Sequence, residues 1–150
     1  MKLSAFRLVL AALLASTVVA PASADDVADV ARDWGLIGTW GIDCAKPPKK
    51  GQGNTISYEV TSSGSLIYRR DFDASDNNHV TQARVEPDRT LLLSIVMPQF
   101  NQTRENGIAM QPDGSIHTDF SRGEDGSYTI RDGRFVANGK PTPALRKCGP

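Results

Sequence analysis

The sequence predicts an all-β fold, in which a single antiparallel meander of about eight to ten short strands closes into a small barrel after a short N-terminal helix. Two observations lead to this prediction. Segments in which apolar and polar residues alternate, as in half-buried strands, follow one another through most of the chain. Glycine-containing turn dipeptides separate these segments at short and fairly even intervals. A sandwich of two sheets is the alternative architecture.

The first 24 residues are typical of a cleaved secretory signal. Lys2 and Arg7 give a basic start, residues 8–20 form an uncharged apolar run, and small residues lead to the expected cleavage after Ala24. The apolar run is too short to span a bilayer, and no later segment is long and apolar enough. We therefore expect a mature protein that begins at Asp25, forms one β-barrel domain over residues 25–150, and works in the periplasm or outside the cell.

A short helix is predicted at the start of the mature chain. Val27, Val30, Ala31 and Trp34 fall at positions i, i+3, i+4 and i+7, which place them on one helical face. Gly35 is expected to end this helix.

Ten segments after the helix are predicted as strands. Residues 91–97 form the most apolar run of the mature chain, so they are expected to be the best-buried strand. The predicted strands are 38–44, 55–60, 66–72, 79–86, 90–97, 102–110, 115–121, 127–131, 134–137 and 144–148.

Tight turns are predicted where Asp or Asn precedes Gly, because both residues tolerate positive φ. Asn106-Gly107 falls inside a predicted strand and is interpreted as a bulge. The predicted turns are Asp113-Gly114, Asp125-Gly126, Asp132-Gly133 and Asn138-Gly139.

The chain has two cysteines, Cys44 and Cys148. An even number of cysteines in an exported protein indicates a disulfide, and two cysteines allow one connectivity. The bond would join the end of the first strand to the C-terminus, and for so long a loop the chain-entropy model gives a stabilisation of roughly 4.7 kcal/mol.

The mature chain is slightly acidic. Lys2 and Arg7 are the only charged residues of the signal, so residues 25–150 keep 15 basic and 17 acidic residues, a net charge of −2. Such a chain has no net attraction for phosphate backbones, and nucleic acid is not an expected partner. The basic pairs 49–50, 69–70 and 146–147 are interpreted as solvated strand ends and turns.

The short helix followed by Gly38-Thr39-Trp40 resembles the Gly-x-Trp opening of lipocalins. This resemblance implies a barrel in which Trp40 closes one end and stacks under an arginine near the C-terminus, either Arg134 or Arg146. It also implies that the disulfide pins the C-terminal segment to the barrel. Bacterial secreted protease inhibitors are similar in outline, as small exported barrels with one disulfide and an early tryptophan.

Three aromatic residues are the candidate ligand contacts. Tyr58 and Tyr68 lie on predicted strands, where they either line a ligand cavity or fill the core. Phe100 lies in the segment 97–101, which is predicted to be a loop at the barrel rim. Trp40, Cys44 and Cys148 are expected to have structural roles.

Metal binding and catalysis are weaker alternatives. Residues 71–79 are rich in Asp and Asn, but they lack the glycine and glutamate of a calcium loop and are ordinary turn residues. His117 and Asp119 could act with Ser115 or Ser121 in a hydrolase, although the chain has no Gly-x-Ser-x-Gly motif. We expect neither metal nor cofactor and no catalytic residue.

The function predicted from the sequence is a non-enzymatic binding module of lipocalin-like shape. Its partner would be a small apolar molecule in the barrel mouth or an envelope component. The alternative is a protein–protein module, such as an inhibitor of an exported protease, that acts through residues 97–101. A filled barrel would favour the second class, and an open apolar cavity would favour the first.

Overall fold

The computed structural model describes residues 24–150, which form one short helix and ten antiparallel strands. The predicted signal lies outside the described residues except for Ala24, at which the helix begins. The all-β prediction is confirmed. The elements are α1 (Ala24–Trp34), β1 (Gly38–Gly41), β2 (Thr55–Val60), β3 (Leu66–Arg70), β4 (Asn78–Val85), β5 (Leu91–Met97), a 3₁₀ turn (Pro98–Phe100), β6 (Gln102–Met110), β7 (Ile116–Gly123), β8 (Tyr128–Arg131), β9 (Arg134–Phe135) and β10 (Arg146–Gly149).

The strands form one curled sheet with the order β10-β1-β2-β3-β4-β5-β6-β7-β8-β9. Each strand pairs with its neighbour in sequence, except that the C-terminal strand β10 returns to pair with β1. The sheet is a half-barrel, with α1 packed against β3 and β4.

The chain that leads into β10 runs beside the start of β7. Leu145 and Ile116 exchange both main-chain hydrogen bonds, with N–O distances of 2.8 and 2.7 Å. The Thr142 hydroxyl donates to the carbonyl of Thr118 at 2.9 Å. These contacts join the segment that leads into β10 to the first part of β7.

A disulfide joins Cys44, just after β1, to Cys148 on β10, with a Cα–Cα distance of 5.2 Å. The predicted pairing is therefore confirmed. Gly41 lies against this bond, because a Cβ atom at that position would lie 3.0 Å from the Cys148 sulfur. The close approach of β1 and β10 at this bond thus favours a residue without a side chain at position 41.

The helix ends at a glycine, as its sequence predicts. Gly35 has φ +92° and donates to the carbonyl of Arg32, while Leu36 donates to the carbonyl of Ala31. These two bonds form a Schellman motif. Leu36 is completely buried, so the end of the helix is fixed to the core by an apolar contact as well.

Trp40 lies at the centre of this junction. Its indole Nε1 donates to the carbonyl of Leu36 at 2.7 Å, and the Lys147 ammonium lies 5.5 Å from the centre of the ring. The expected contact with Arg134 or Arg146 is wrong. A register shift in the β1–β10 pairing at Thr39 and Trp40 places Lys147 directly opposite the tryptophan.

No helix within residues 24–150 has the length and apolar character needed to cross a membrane. The disulfide is consistent with an extracellular or otherwise oxidising compartment.

Candidate functional site

Three loops meet at one end of the sheet. They are residues 42–54 after β1, residues 71–77 after β3 and residues 98–101 after β5. Alternate connections of an antiparallel meander lie at the same end, which brings these loops together. We call these three loops the loop rim.

Each loop of the rim presents one large apolar side chain to solvent. Ile42 is 45% exposed, Phe72 is 49% exposed and Phe100 is 50% exposed. A single exposed apolar residue is ordinary, but three on adjacent loops indicate a surface able to bind a partner.

Asp76 connects two of these loops. It is buried, and its carboxylate accepts hydrogen bonds from Nε and Nη2 of Arg70 at 2.7 and 2.6 Å. The main-chain N–H of Arg70 donates at 2.9 Å, and the Gln99 side-chain amide donates at 2.8 Å. One carboxylate therefore fixes the end of β3 to the 3₁₀ turn.

The same arginine supports the exposed phenylalanine. The Arg70 guanidinium lies 5.5 Å from the centre of the Phe100 ring, within the range of a cation–π contact. Gln99, which bonds to Asp76, is the residue before Phe100. Two contacts thus fix the position of Phe100: the cation–π contact of its own ring and the hydrogen bond of the preceding residue.

Asp71 connects the third loop. Its carboxylate accepts from the main-chain N–H groups of Gly53, Asn54 and Thr55 at 2.7, 3.0 and 3.2 Å. Asp71 has φ +52°, a conformation that asparagine and aspartate tolerate better than most residues. The bonds anchor the C-terminal part of the 42–54 loop to the end of β3.

A polar cavity of about 330 Å³ lies between these loops, and Arg70, Asp71, Asp76 and Gln99 contribute to its lining. A second cavity of about 430 Å³ lies within the 42–54 loop and includes Ile42. Both cavities are open clefts on the loop rim.

The pKa values of the rim carboxylates follow from these contacts. Burial alone would raise the pKa of Asp76, but hydrogen bonds from Arg70 and Asn78 and the charge of Arg70 lower it below its ordinary value. A hydrogen bond from Lys50, whose ammonium lies 2.9 Å from the Asp73 carboxylate, lowers the pKa of Asp73 to about 2 with help from Ser75. Both carboxylates are therefore ionised at neutral pH.

We expect the Asp76→Asn variant to be less stable than the wild type by about 2 kcal/mol at pH 7, because it weakens the hydrogen bonds of a buried carboxylate. The folded pKa of Asp76 lies below the unfolded value of about 3.9. The stabilisation is therefore complete above that value and is lost as the pH falls through the folded pKa. Chemical denaturation at a series of pH values from 7 to 2 should show that the free energies of unfolding of the two proteins become equal at acid pH.

Asp88→Asn is the matched control, because Asp88 accepts a main-chain bond from Thr90 in an exposed turn between β4 and β5. Its effect at pH 7 should be clearly smaller. An equal effect of the two substitutions would contradict the special role of Asp76.

The candidate ligand contacts are divided between the core and the rim. Tyr58 and Tyr68 pair across β2 and β3 with ring centres 5.3 Å apart, but they are only 2% and 8% exposed. Burial raises the pKa of Tyr68 to about 12 and raises that of Tyr58 well above its ordinary value. Phe100 is on the rim, as predicted, and the assignment of all three as ligand contacts stays a prediction.

The side chains beside the tyrosines fill the concave face of the sheet. Leu91, Leu93 and Ile95 on β5 have no exposed surface and belong to the same apolar core as Tyr58 and Tyr68. A hollow wide enough for a ligand would leave accessible surface on its walls, and these three residues have none.

His117 and Asp119 of the hydrolase alternative both lie beside Gly133, but neither candidate serine joins them. The His117 Nδ1 lies 2.8 Å from the side-chain amide of Gln111. The Ser115 hydroxyl donates to Asp113, and the Ser121 hydroxyl accepts from Arg104, so neither serine bonds to the imidazole. Within residues 24–150 there is also no group of three or more His, Cys, Asp or Glu residues placed to hold a metal ion.

Sequence reasoning missed the roles of Arg70, Asp76 and Gln99. The pair Arg69-Arg70 was interpreted as solvated, but Arg69 bonds to Glu59 at 2.6 Å and Arg70 bonds to Asp76. An arginine at the end of a strand, followed six residues later by an aspartate across the turn, was the available signal.

Comparisons with protein-family models, with curated proteins and with solved structures gave no match for this chain.

Proposed function

We propose that this protein is an exported, non-enzymatic binding module that recognises a protein partner of the cell envelope or the exported fraction through its loop rim. The observation that carries the proposal is Phe100, a half-exposed aromatic ring held in place by Arg70 and by the Gln99–Asp76 bond. An inhibitor of an exported protease is one form that such a module takes.

A fixed exposed aromatic residue is suited to anchor an interface. Large aromatic side chains carry much of the binding energy when a partner buries them in a pocket. Ordering a mobile side chain on binding costs about 0.5–1.5 kcal/mol. The contacts beneath Phe100 reduce this cost, because the ring is already positioned before the partner arrives.

A protein partner agrees better with the filled core than a small apolar ligand does. A ligand in the barrel mouth would need accessible apolar walls, and Leu91, Leu93 and Ile95 offer none. The rim instead offers Ile42, Phe72 and Phe100 around polar clefts, a mixture of apolar anchors and polar edges that is typical of protein interfaces.

Export and a lipocalin-like shape are part of the proposal. The secretory signal expected over residues 1–24 and the Cys44–Cys148 bond support export. The Gly38-Thr39-Trp40 opening, with Trp40 under a C-terminal cation and a disulfide to the C-terminal strand, supports a lipocalin-like arrangement.

We expect Phe100→Ala to weaken partner binding by about 30-fold, the equivalent of about 2 kcal/mol for a central aromatic anchor. Tagged wild-type and variant proteins would first be compared by quantitative capture from the exported fraction of the host. The affinity of the purified partner would then be measured directly. Met110→Ala is the control, because Met110 is 42% exposed at the opposite end of β6.

Equal binding by the wild type and Phe100→Ala would contradict the proposal that the loop rim is the recognition surface.

Native mass spectrometry of the non-reduced protein from the same fraction tests the other parts of the proposal. We expect a mass that begins at Asp25 and lacks two hydrogens. A discrete small-molecule adduct that persists in Phe100→Ala would favour the ligand-binding alternative instead.

A further inference from the structure

Two arginines face each other across the β8–β9 hairpin. The turn between the strands has two residues, Asp132 and Gly133, with φ values of +50° and +66°. In this tight turn Arg131 pairs directly with Arg134, so the two side chains leave the same face of the hairpin. Like charges at directly opposed positions destabilise a sheet, and their presence therefore needs an explanation.

Neutral groups hold both guanidinium groups in position. Arg131 lies over the ring of Tyr128 at 5.4 Å. The Nη1 atom of Arg134 donates to the carbonyl of Gly139 at 3.0 Å. Each arginine is thus oriented by a contact with a neutral group.

The carboxylate that forms an ion pair with Arg131 is a poor partner. The Asp132 Oδ2 atom lies 3.9 Å from Arg131 Nε, and the aspartate side chain is 92% exposed. An exposed pair at this distance contributes little, so the hairpin keeps close to two positive charges.

The sequence around the hairpin strengthens the positive field. Residues 128–150 contain five basic residues and one acidic residue, a net charge of +4, whereas residues 25–127 contain 10 basic and 16 acidic residues, a net charge of −6. Such a separation of charge draws anions toward the C-terminal part of the chain and away from the rest.

We propose that Arg131 and Arg134 form a binding site for a phosphate monoester group. Each guanidinium offers a planar fork of N–H donors that matches the oxygens of a phosphate. A phosphate monoester carries a charge of about −1.5 to −2 at pH 7, which balances two arginines, whereas one carboxylate balances only one. Binding would also remove the repulsion within the pair.

The site is separate from the loop rim. β8 runs away from the end that carries the rim loops, so the Asp132–Gly133 turn lies at the opposite end of the sheet. The inference therefore does not depend on the proposed function, and either one can fail without the other.

The first test titrates the protein with inorganic phosphate and with glycerol phosphate at low salt, while amide shifts of the hairpin are followed by NMR. We expect saturable shifts at residues 131–134 that weaken as NaCl is added. Arg131→Gln and Arg134→Gln should each weaken binding about fivefold, and the double variant should weaken it about 25-fold if the effects are independent. Arg84→Gln is the control, because Arg84 is exposed but paired with Glu86.

A second arm uses vesicles of phosphatidylcholine with and without phosphatidic acid. Retention on phosphatidic acid vesicles alone would identify a lipid headgroup as the source of the phosphate, and binding of the soluble esters would identify a free metabolite. Absence of binding in both arms would overturn the proposal. An equal loss of binding in Arg84→Gln would do the same, since it would show attraction to overall charge.

Thermal unfolding separates a binding role from a structural one. Because Arg131→Gln removes like-charge repulsion, we expect its unfolding midpoint to equal or exceed that of the wild type. Arg131→Lys keeps the charge without the fork and should bind with an intermediate affinity. A lower midpoint in Arg131→Gln together with full binding by that variant would show that the arginine serves the fold and not an anion.

Discussion

Replacing Cys44 and Cys148 together with serine is expected to lower the free energy of unfolding by about 2–5 kcal/mol. The bond closes a loop of 104 residues, so its loss frees much of the unfolded chain. In the folded state it also joins β10 to the end of β1, where three residue pairs define the ladder. Equilibrium denaturation of the variant and the wild type, both under non-reducing conditions, measures the difference.

Reduced wild-type protein is the control for this experiment, because it lacks the bond but keeps both sulfur atoms. It should unfold at the same denaturant concentration as the double serine variant. A loss below about 1 kcal/mol in both proteins would contradict the prediction, and would mean that the pairing of Leu145 with Ile116 is enough to hold the C-terminal segment.

The same variant tests how independent the loops of the rim are. Cys44 belongs to the 42–54 loop, whereas Phe100 is fixed through Arg70 and Asp76 from the other two loops. At a temperature where the variant is still folded, we expect it to bind the partner through Phe100 with most of the wild-type affinity.

Local sequence signals were sufficient to predict most of the fold. Strands β2 and β6 have the predicted bounds, 55–60 and 102–110, because alternation and flanking turn residues define both ends. The pairing of β6 with β7 is irregular between Gly107 and Ile108, next to the predicted bulge at Asn106-Gly107, but the extra residue is Asp119 on β7. Gly35 ends the helix for the physical reason that its sequence position suggests, a left-handed conformation.

Errors occurred where long-range contacts override local alternation. The first strand was predicted over 38–44 but ends at Gly41, and the next residue, Ile42, bonds to the carbonyl of Asn54 across the base of its own loop. The β6–β7 pairing also skips Asp119, so that Phe120 lies opposite Gly107, whose missing side chain leaves room for the ring.

The candidate site was predicted less completely than the fold. Phe100 could be assigned to an exposed loop because Pro98 interrupts the pattern after a strongly apolar strand. The contacts that hold Phe100 could not be predicted, because Asp76 and Gln99 are 23 residues apart and meet only after three strands have paired. A single sequence contains no periodic signal for such a contact.

Trp40→Ala is expected to lower the free energy of unfolding by about 3–5 kcal/mol, the usual cost of removing a large buried aromatic side chain. Trp40 is buried, and its indole joins the Schellman end of α1 to β1 through the carbonyl of Leu36. Trp40→Phe keeps most of the apolar contact but leaves that carbonyl without its donor, so we expect a smaller loss of about 1–3 kcal/mol. Chemical denaturation of both variants gives the two values.

Trp34→Phe is the matched control, because the Trp34 indole also donates to a main-chain carbonyl, that of Arg89, at 2.8 Å. The bond to Arg89 is exposed, so water can replace the lost donor there, whereas the buried end of α1 at Leu36 excludes water. We therefore expect the losses to rank Trp40→Ala above Trp40→Phe above Trp34→Phe. An equal loss in the free energy of unfolding for Trp34→Phe and Trp40→Phe would contradict this ranking. It would show that the loss comes from removing any indole hydrogen bond, and not from the burial of the Leu36 carbonyl beneath Trp40.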